Sequence, residues 1–223
     1  MISESANLAP MMALQPYLAL LAGDTSLDVV GEMSYALLDT PSFALAVKHL
    51  QTDAQCAELI AERYMATEHD IDRLLTYPPD SLGFTYAQSM KARGFRAEDL
   101  YKDVQIYSDA SYVEARLSQT HDIWHIVTGF GVSGIEEIGL QAFHLPQFPY
   151  PLAVSLVSSN LMSSLLFAPN DLPDLLSAIQ IGWQMGKTAK SFFAQKWEEG
   201  WEKPLSQWQA ELNIQPIQQW ARN

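Results

Sequence analysis

Residues 112–137, YVEARLSQTHDIWHIVTGFGVSGIEE, decide the fold. From Tyr112 to Phe130 the residues read as one helix, and Gly129-Phe130-Gly131-Val132-Ser133-Gly134 then breaks the run. Ser133 followed by Glu136 is the Ser-x-x-Glu pattern of a capping box, in which a hydroxyl satisfies a free N–H at the start of the next helix. The stretch therefore predicts helix, short turn, helix. Elsewhere apolar residues keep helical spacing over most of the chain, and no regular period-2 runs are bounded by hairpin dipeptides. All-α is the predicted class.

Working outward, Thr40-Pro41-Ser42 before Phe43, Val47 and Leu50 predicts a helix start. Thr52 to Leu75 reads as another helix, with Leu59, Ile60, Arg63 and Tyr64 along one side, stopped by Tyr77-Pro78-Pro79-Asp80. Ser81 to Met90 is a further helix that Gly94 ends. Leu152 to Ala168 reads as a buried or interfacial helix between two proline clusters, Leu145 to Pro151 and Pro169 to Pro173, which act as connections within a domain. From Asp174 a long helix is expected to run towards Lys203, with Pro204 ending it or opening a last one. At 223 residues the chain is read as a single domain over 1–223, and its first 75 residues carry no motif.

Composition narrows the function. Hydrophobic residues make up 48% and charged residues 17%, which suits a dry, apolar interior. A formal charge of -13 and a pI near 4.6, with no basic stripe, argue against nucleic acid as a partner. Cys56 is the single cysteine, so there is neither an internal disulfide nor a CxxC pair, and a reducing compartment is expected. No Lys or Arg precedes Lys48, so Met11 to Ala22 lacks the basic flank of a secretory signal and the arginines of a transit peptide. The weakly polar run Leu152 to Ala168 contains five serines and Asn160, short of the roughly 20 mostly apolar residues of a span. A cytoplasmic, non-spanning protein is expected.

One constellation carries chemistry. His121 and His125 stand at i and i+4, about 40° apart on a helical wheel and one turn apart along the axis, so both imidazoles can face one ion. Asp122 lies about 100° from His121 and about 60° from His125, close enough for its carboxylate to reach the same side. Glu137 would be about 18 Å further along a continuous helix, so it joins them only if the chain turns back at Gly129 to Gly134. With Glu136 engaged in capping, Glu137 sits in the first turn of the returning helix, where it can point back at the His pair. Imidazole and carboxylate together suit zinc, iron, manganese or cobalt. The plain alternatives are two unrelated histidines and a Glu137 that serves only the helix macrodipole.

This pattern, HDxxH, eleven residues and a Glu, resembles that of the fourth coenzyme Q biosynthesis protein family, the helical decarboxylase and scaffold of the ubiquinone complex. Pro79-Asp80-Ser81-Leu82-Gly83 with Tyr86-Ala87 resembles a second element of that family. Trp183, Gly186, Lys187, Ala189, Lys190, Trp197-Glu198, Trp201 and Leu212 to Ile214 are similar to its C-terminal region, so the resemblance spans about 78–214. It implies a divalent metal, zinc first, with iron, manganese, cobalt or magnesium as other candidates, on His121, Asp122, His125 and Glu137. It also implies an apolar cavity for a polyprenyl tail, peripheral membrane association, a homodimer, and quinone-biosynthesis enzymes as partners. The reaction implied is replacement of a ring carboxyl by hydroxyl at C1 of a prenylated hydroxybenzoate.

Three other readings stay open. A zinc hydrolase would use HDxxH as HExxH is used, but Asp is one methylene shorter and reaches the metal more readily than an attacking water. An HD-type phosphohydrolase would draw on His69, His121, Asp122 and Asp171. A non-catalytic lipid carrier or scaffold would use the metal to order two helices. If there is catalysis, four protein ligands would close a zinc shell, so one must withdraw. Asp122, sharing a turn with both histidines, is the candidate for that and hence for proton transfer. Trp197, Trp201 and Trp208 read as core, Gly182 and Gly186 as close helix packing, and His49, His69 and His144 as structural.

Overall fold

The computed structural model describes residues 8–66, 69–94 and 105–217. These form eleven helices in chain order: α1 (Leu8–Leu21), α2 (Leu27–Leu37), α3 (Pro41–Leu50), α4 (Ala54–Glu62), α5 (Ile71–Leu74), α6 (Leu82–Arg93), α7 (Asp109–Thr128), α8 (Gly134–Gln147), α9 (Pro151–Phe167), α10 (Leu172–Thr188) and α11 (Leu205–Glu211). Among the described residues there is no strand, only an isolated bridge between Ser81 and Pro204. The all-α expectation holds. The chain divides into two compact units, each built from two stretches of sequence: residues 8–53 with 133–187, and residues 54–132 with 188–217.

The first unit holds α1 to α3 and α8 to α10. Thr40 caps α3 by accepting from the Phe43 N–H at 3.3 Å, with Pro41 at the first helical position, as its sequence predicts. Phe43 is fully buried and meets Tyr150 edge-on, ring centroids 6.1 Å apart. Gly182 and Gly186 let α10 approach α8 closely: a Cβ would lie 1.9 Å from the Gly139 carbonyl oxygen at the first position and 2.2 Å from that of Phe143 at the second. Gly182→Ala gains about 1 kcal/mol of helix propensity but forces two backbones apart, an overpacking cost of roughly 1–3 kcal/mol or more. We expect a lower unfolding midpoint for that variant. An unchanged midpoint would mean that the helices separate at no cost.

Helices α1 and α9 run side by side, with Tyr17 Oη 3.0 Å from Ser158 Oγ, and neither contains a charged residue. Met11, Met12 and Leu14 on α1 and Leu165, Leu166 and Phe167 on α9 are each more than half exposed. Among the described residues, no helix is long and apolar enough to cross a membrane.

The second unit holds α4 to α7, a 3-10 turn at Trp197–Gly200, and α11. The single helix expected over Thr52 to Leu75 is instead α4 and α5, with residues 67–68 outside those described. Arg63 ends α4 by adopting φ 54, a left-handed backbone rare for a non-glycine residue. Tertiary contacts outweigh local propensity here. The Arg63 guanidinium donates to the Ser108 carbonyl and pairs with Asp109 at 2.8 Å, tying it to the start of α7, while the Tyr64 carbonyl accepts from Tyr112 Oη at 2.9 Å.

The long helix expected to reach Lys203 likewise stops at Thr188. Asn213 Nδ2 donates to the Thr188 carbonyl at 2.8 Å and Lys190 N–H to that of Leu212, so the chain folds back against the C-terminal segment. Phe192 and Trp197 are buried, and Phe192 packs edge-on against Trp124. Trp197 and Trp208 stack at 4.8 Å, consistent with their reading as core. Pro204 precedes α11 as its N-cap rather than its first helical residue.

Candidate metal centre

Helix α7 presents the histidine pair. A reciprocal Ser108–Ser111 capping box starts it, and Gly129, at φ 80, ends it. A Cβ on Gly129 would also sit 2.7 Å from the Ile217 carbonyl oxygen, so two demands favour glycine there. Ile123, Trp124 and Val127 bury the core face of the helix, leaving His121 partly exposed and His125 5% exposed.

His125 Nδ1 lies 3.1 Å from the Phe130 carbonyl oxygen. A carbonyl only accepts, so Nδ1 carries a proton and Nε2 is the nitrogen available to face a cation. Nε2 faces His121 Nε2 at 3.1 Å, the rings meeting edge-on at 4.6 Å. Two nitrogen ligands of a tetrahedral ion, at 2.0–2.1 Å from it, stand roughly 3.3 Å apart. The pair therefore fits a shared cation with only a small adjustment, and the backbone carbonyl behind His125 is the kind of partner that fixes a metal-bound imidazole.

Glu137 lies in the first turn of α8, and its Oε1 accepts from Gln141 Nε2 at 2.8 Å, which orients the carboxylate. Ser133 caps α8, accepting from the Glu136 N–H at 3.4 Å. Its hydroxyl in turn donates to Glu136 Oε2 at 2.6 Å, so Glu136 is bound to the capping serine through the side chain and not through the backbone N–H of a full capping box. His121 and His125 belong to the second unit and Glu137 to the first, so the two histidines are the candidate donors that one unit brings together.

Asp122 has other business. Its Oδ1 accepts from Arg93 Nη2 at 2.7 Å, and the two side chains are 16% and 22% exposed. Arg93, in the last turn of α6, is 29 residues away, and nothing local in the sequence couples it to the motif.

A second polar cluster lies in the same unit. Arg116, 1% exposed on α7, donates to both carboxylate oxygens of Glu198 at 2.6 and 2.9 Å, to Gln119 Oε1 and to the Gln195 carbonyl. His69 Nε2 lies 3.7 Å from Glu198, and its Nδ1 lies 3.0 Å from Tyr86 Oη. Burial alone would raise the Glu198 pKa. Hydrogen bonds from His69 and Arg116 and the guanidinium charge outweigh it and hold the group at about 2. Beside this cluster is a cavity of about 230 Å³ lined by Ala66, Leu74, Tyr77 and Trp201 together with His69, Asp70, Arg73 and Glu198. His69 thus both contacts Glu198 and Tyr86 and lines the cavity. Asp171, in the first unit, sits exposed in a 3-10 turn.

Residues 16–218 match the family model described as coenzyme Q (ubiquinone) biosynthesis protein Coq4. The chain belongs to the Coq4 family. Similar family members include the mitochondrial ubiquinone biosynthesis protein COQ4 of Uncinocarpus reesii, 28% identical over 64% of this chain and 50% of that protein. The Caenorhabditis elegans coq-4 protein is 25% identical over 85% of this chain and 83% of its own length. Against the fungal relatives from Uncinocarpus, Coccidioides and Eremothecium the chain spans about half of their length. A crystal structure from Nostoc punctiforme, of a protein assigned provisionally to ubiquinone biosynthesis, matches 91% of this chain and 97% of its own at 33% identity and a TM-score of 0.84.

Proposed function

We propose that this Coq4 family member acts in quinone biosynthesis, holding a divalent cation on the His121–His125 pair, with Glu137 as the ligand that the sequence pattern adds, and handling a prenylated ring substrate. The observation that carries the reading is the His121–His125 pair, its Nε2 atoms 3.1 Å apart with the outer nitrogen of His125 tied to a backbone carbonyl. Family membership points to the pathway. A bound cation would supply Lewis acidity, stabilising negative charge at a substrate oxygen during loss of the ring carboxyl.

The protein groups do the rest. Gln141 steadies the Glu137 carboxylate, and Phe130 fixes the His125 tautomer. Asp122, which shares a turn with both histidines, exchanges the proton through Oδ2, because Oδ1 is engaged by Arg93. The uncharged, exposed faces of α1 and α9 would rest on the lipid surface in which a polyprenyl substrate dissolves. Those same faces favour a second reading, a lipid carrier or scaffold without turnover.

The deciding experiment is turnover of a prenylated hydroxybenzoate with oxygen and a reductant present. Asp122→Asn should keep its metal and lose about a hundredfold or more in rate. Equal rates at matched metal content would remove Asp122 from the chemistry. No turnover by the wild-type, metal-loaded protein would leave the carrier reading standing.

A further inference from the structure

We infer that the cavity beside His69 and Glu198 binds a small zwitterion, an α-amino acid with one aromatic ring, taking its carboxylate on Arg73, its ammonium on Asp70 and its ring against Trp201 and Tyr77. The inference does not rest on the metal reading above.

The cavity lies wholly within the second unit, lined by α5 and its flanks and by Glu198 and Trp201. Its inner lining is held in place. The side chains of His69 and Glu198 are 2% and 9% exposed; His69 Nδ1 lies 3.0 Å from Tyr86 Oη, and Arg116 meets both carboxylate oxygens of Glu198. The Glu198 charge is therefore neutralised within the scaffold. Trp201 is fixed as well, its ring edge-on to His69 at 5.1 Å and tilted on Tyr86 at 5.2 Å. With Tyr77 and the buried Leu74 it makes the apolar part of the lining.

The charges that remain are Asp70 and Arg73, both exposed and both on the lining. Three residues apart on one turn, they would ordinarily pair with each other. They do not. Among the described residues the Arg73 guanidinium makes no hydrogen bond or ion pair, and Asp70 Oδ1 accepts from the Arg73 backbone N–H at 3.0 Å, capping α5. The cavity is thus edged by one open carboxylate oxygen and one open guanidinium. A ligand of a single charge would gain from one of these groups and lose to the other, whereas a zwitterion satisfies both. The formal charge of -13 further disfavours a bare anion. At an interior packing density of roughly 0.75, the cavity of about 230 Å³ holds about 170 Å³ of ligand atoms, which suits an amino acid with one ring.

L-Phenylalanine is the probe, with 3-phenylpropionate, which lacks the ammonium, and phenethylamine, which lacks the carboxylate, as controls. Isothermal titration calorimetry on the full chain reads affinity. NMR of the indole N–H signals, with Trp201 assigned through Trp201→Phe, reads location. L-Phenylalanine should bind and shift the Trp201 signal, and each control should bind about fivefold more weakly or worse. Arg73→Gln should weaken L-phenylalanine by about fivefold or more while leaving phenethylamine no weaker than in wild type. Asp70→Asn, which keeps a capping side chain, should have the matching effect, with 3-phenylpropionate spared. Ala66→Phe fills the cavity without removing a charge and should abolish binding, its fold checked by circular dichroism; if it does not fold, the two variants at exposed side chains carry the test. Absence of binding by L-phenylalanine at its solubility limit would overturn the inference. So would a control that binds as tightly as L-phenylalanine, or an affinity unchanged in both Arg73→Gln and Asp70→Asn.

Discussion

His125→Ala is expected to lose nearly all bound divalent metal while keeping its helix content. On the proposed site the imidazole would be a direct ligand, and losing it should cost more than the ~100-fold that removal of an outer partner alone can cost. The fold should tolerate the change. Helix α7 is fixed by the Ser108 cap, by Gly129 and by the buried Ile123, Trp124 and Val127, none of which depends on the histidine ring. Gln141→Ala, which removes one hydrogen bond to the Glu137 carboxylate, should lower affinity to a smaller extent, within about 10–100-fold, if Glu137 is a ligand as proposed. Elemental analysis of protein loaded with zinc and then desalted makes the comparison. Full metal occupancy in His125→Ala would end the metal proposal.

The second large effect concerns stability, away from the metal. Arg116→Met should destabilise the second unit by about 3–5 kcal/mol at neutral pH, because it leaves the Glu198 carboxylate buried with its guanidinium partner gone. Its pH dependence separates this cause from a simple packing loss. In the wild type, Glu198 has a folded pKa of about 2 against an ordinary value of 4.5, a depressed carboxylate. A depressed group contributes stability above its unfolded pKa and loses it as pH falls through the folded one, here between about pH 4.5 and pH 2. The gap between wild type and Arg116→Met should therefore be widest near pH 7 and shrink across that window. Urea unfolding at pH 7 and pH 3 would test it, and a gap of equal size at both would point to lost packing instead of lost charge.

These two clusters show what a linear reading reaches. The capping residues Thr40, Ser81 and Ser133 and the terminators Gly94 and Gly129 act within a few positions of themselves, so the starts of α3, α6 and α8 and the ends of α6 and α7 are legible in the sequence. The histidine pair is legible for the same reason, since a four-residue spacing fixes its geometry on a helix. The breaks after Glu62 and Thr188 are not, because each depends on a distant group. Arg63 leaves the helical region to reach Ser108 and Asp109, and Thr188 is held by Asn213. The partners of the site are hidden in the same way. Arg93 reaches Asp122 across 29 residues and Arg116 reaches Glu198 across 82, and no periodicity or motif encodes either pairing.

The separation between Arg116 and Glu198 also bears on how the chain is made. During synthesis Arg116 leaves the ribosome well before its counter-ion, and at about 5–20 residues per second the 82 residues between them take roughly 4–16 s to appear. For that interval α7 lacks the Gln195 carbonyl, the Glu198 carboxylate and the aromatic cover of Phe192 and Trp197. Until the C-terminal stretch arrives, the Arg116 side of α7 lacks the carboxylate that lets its charge be buried, so this face of the helix can close only late.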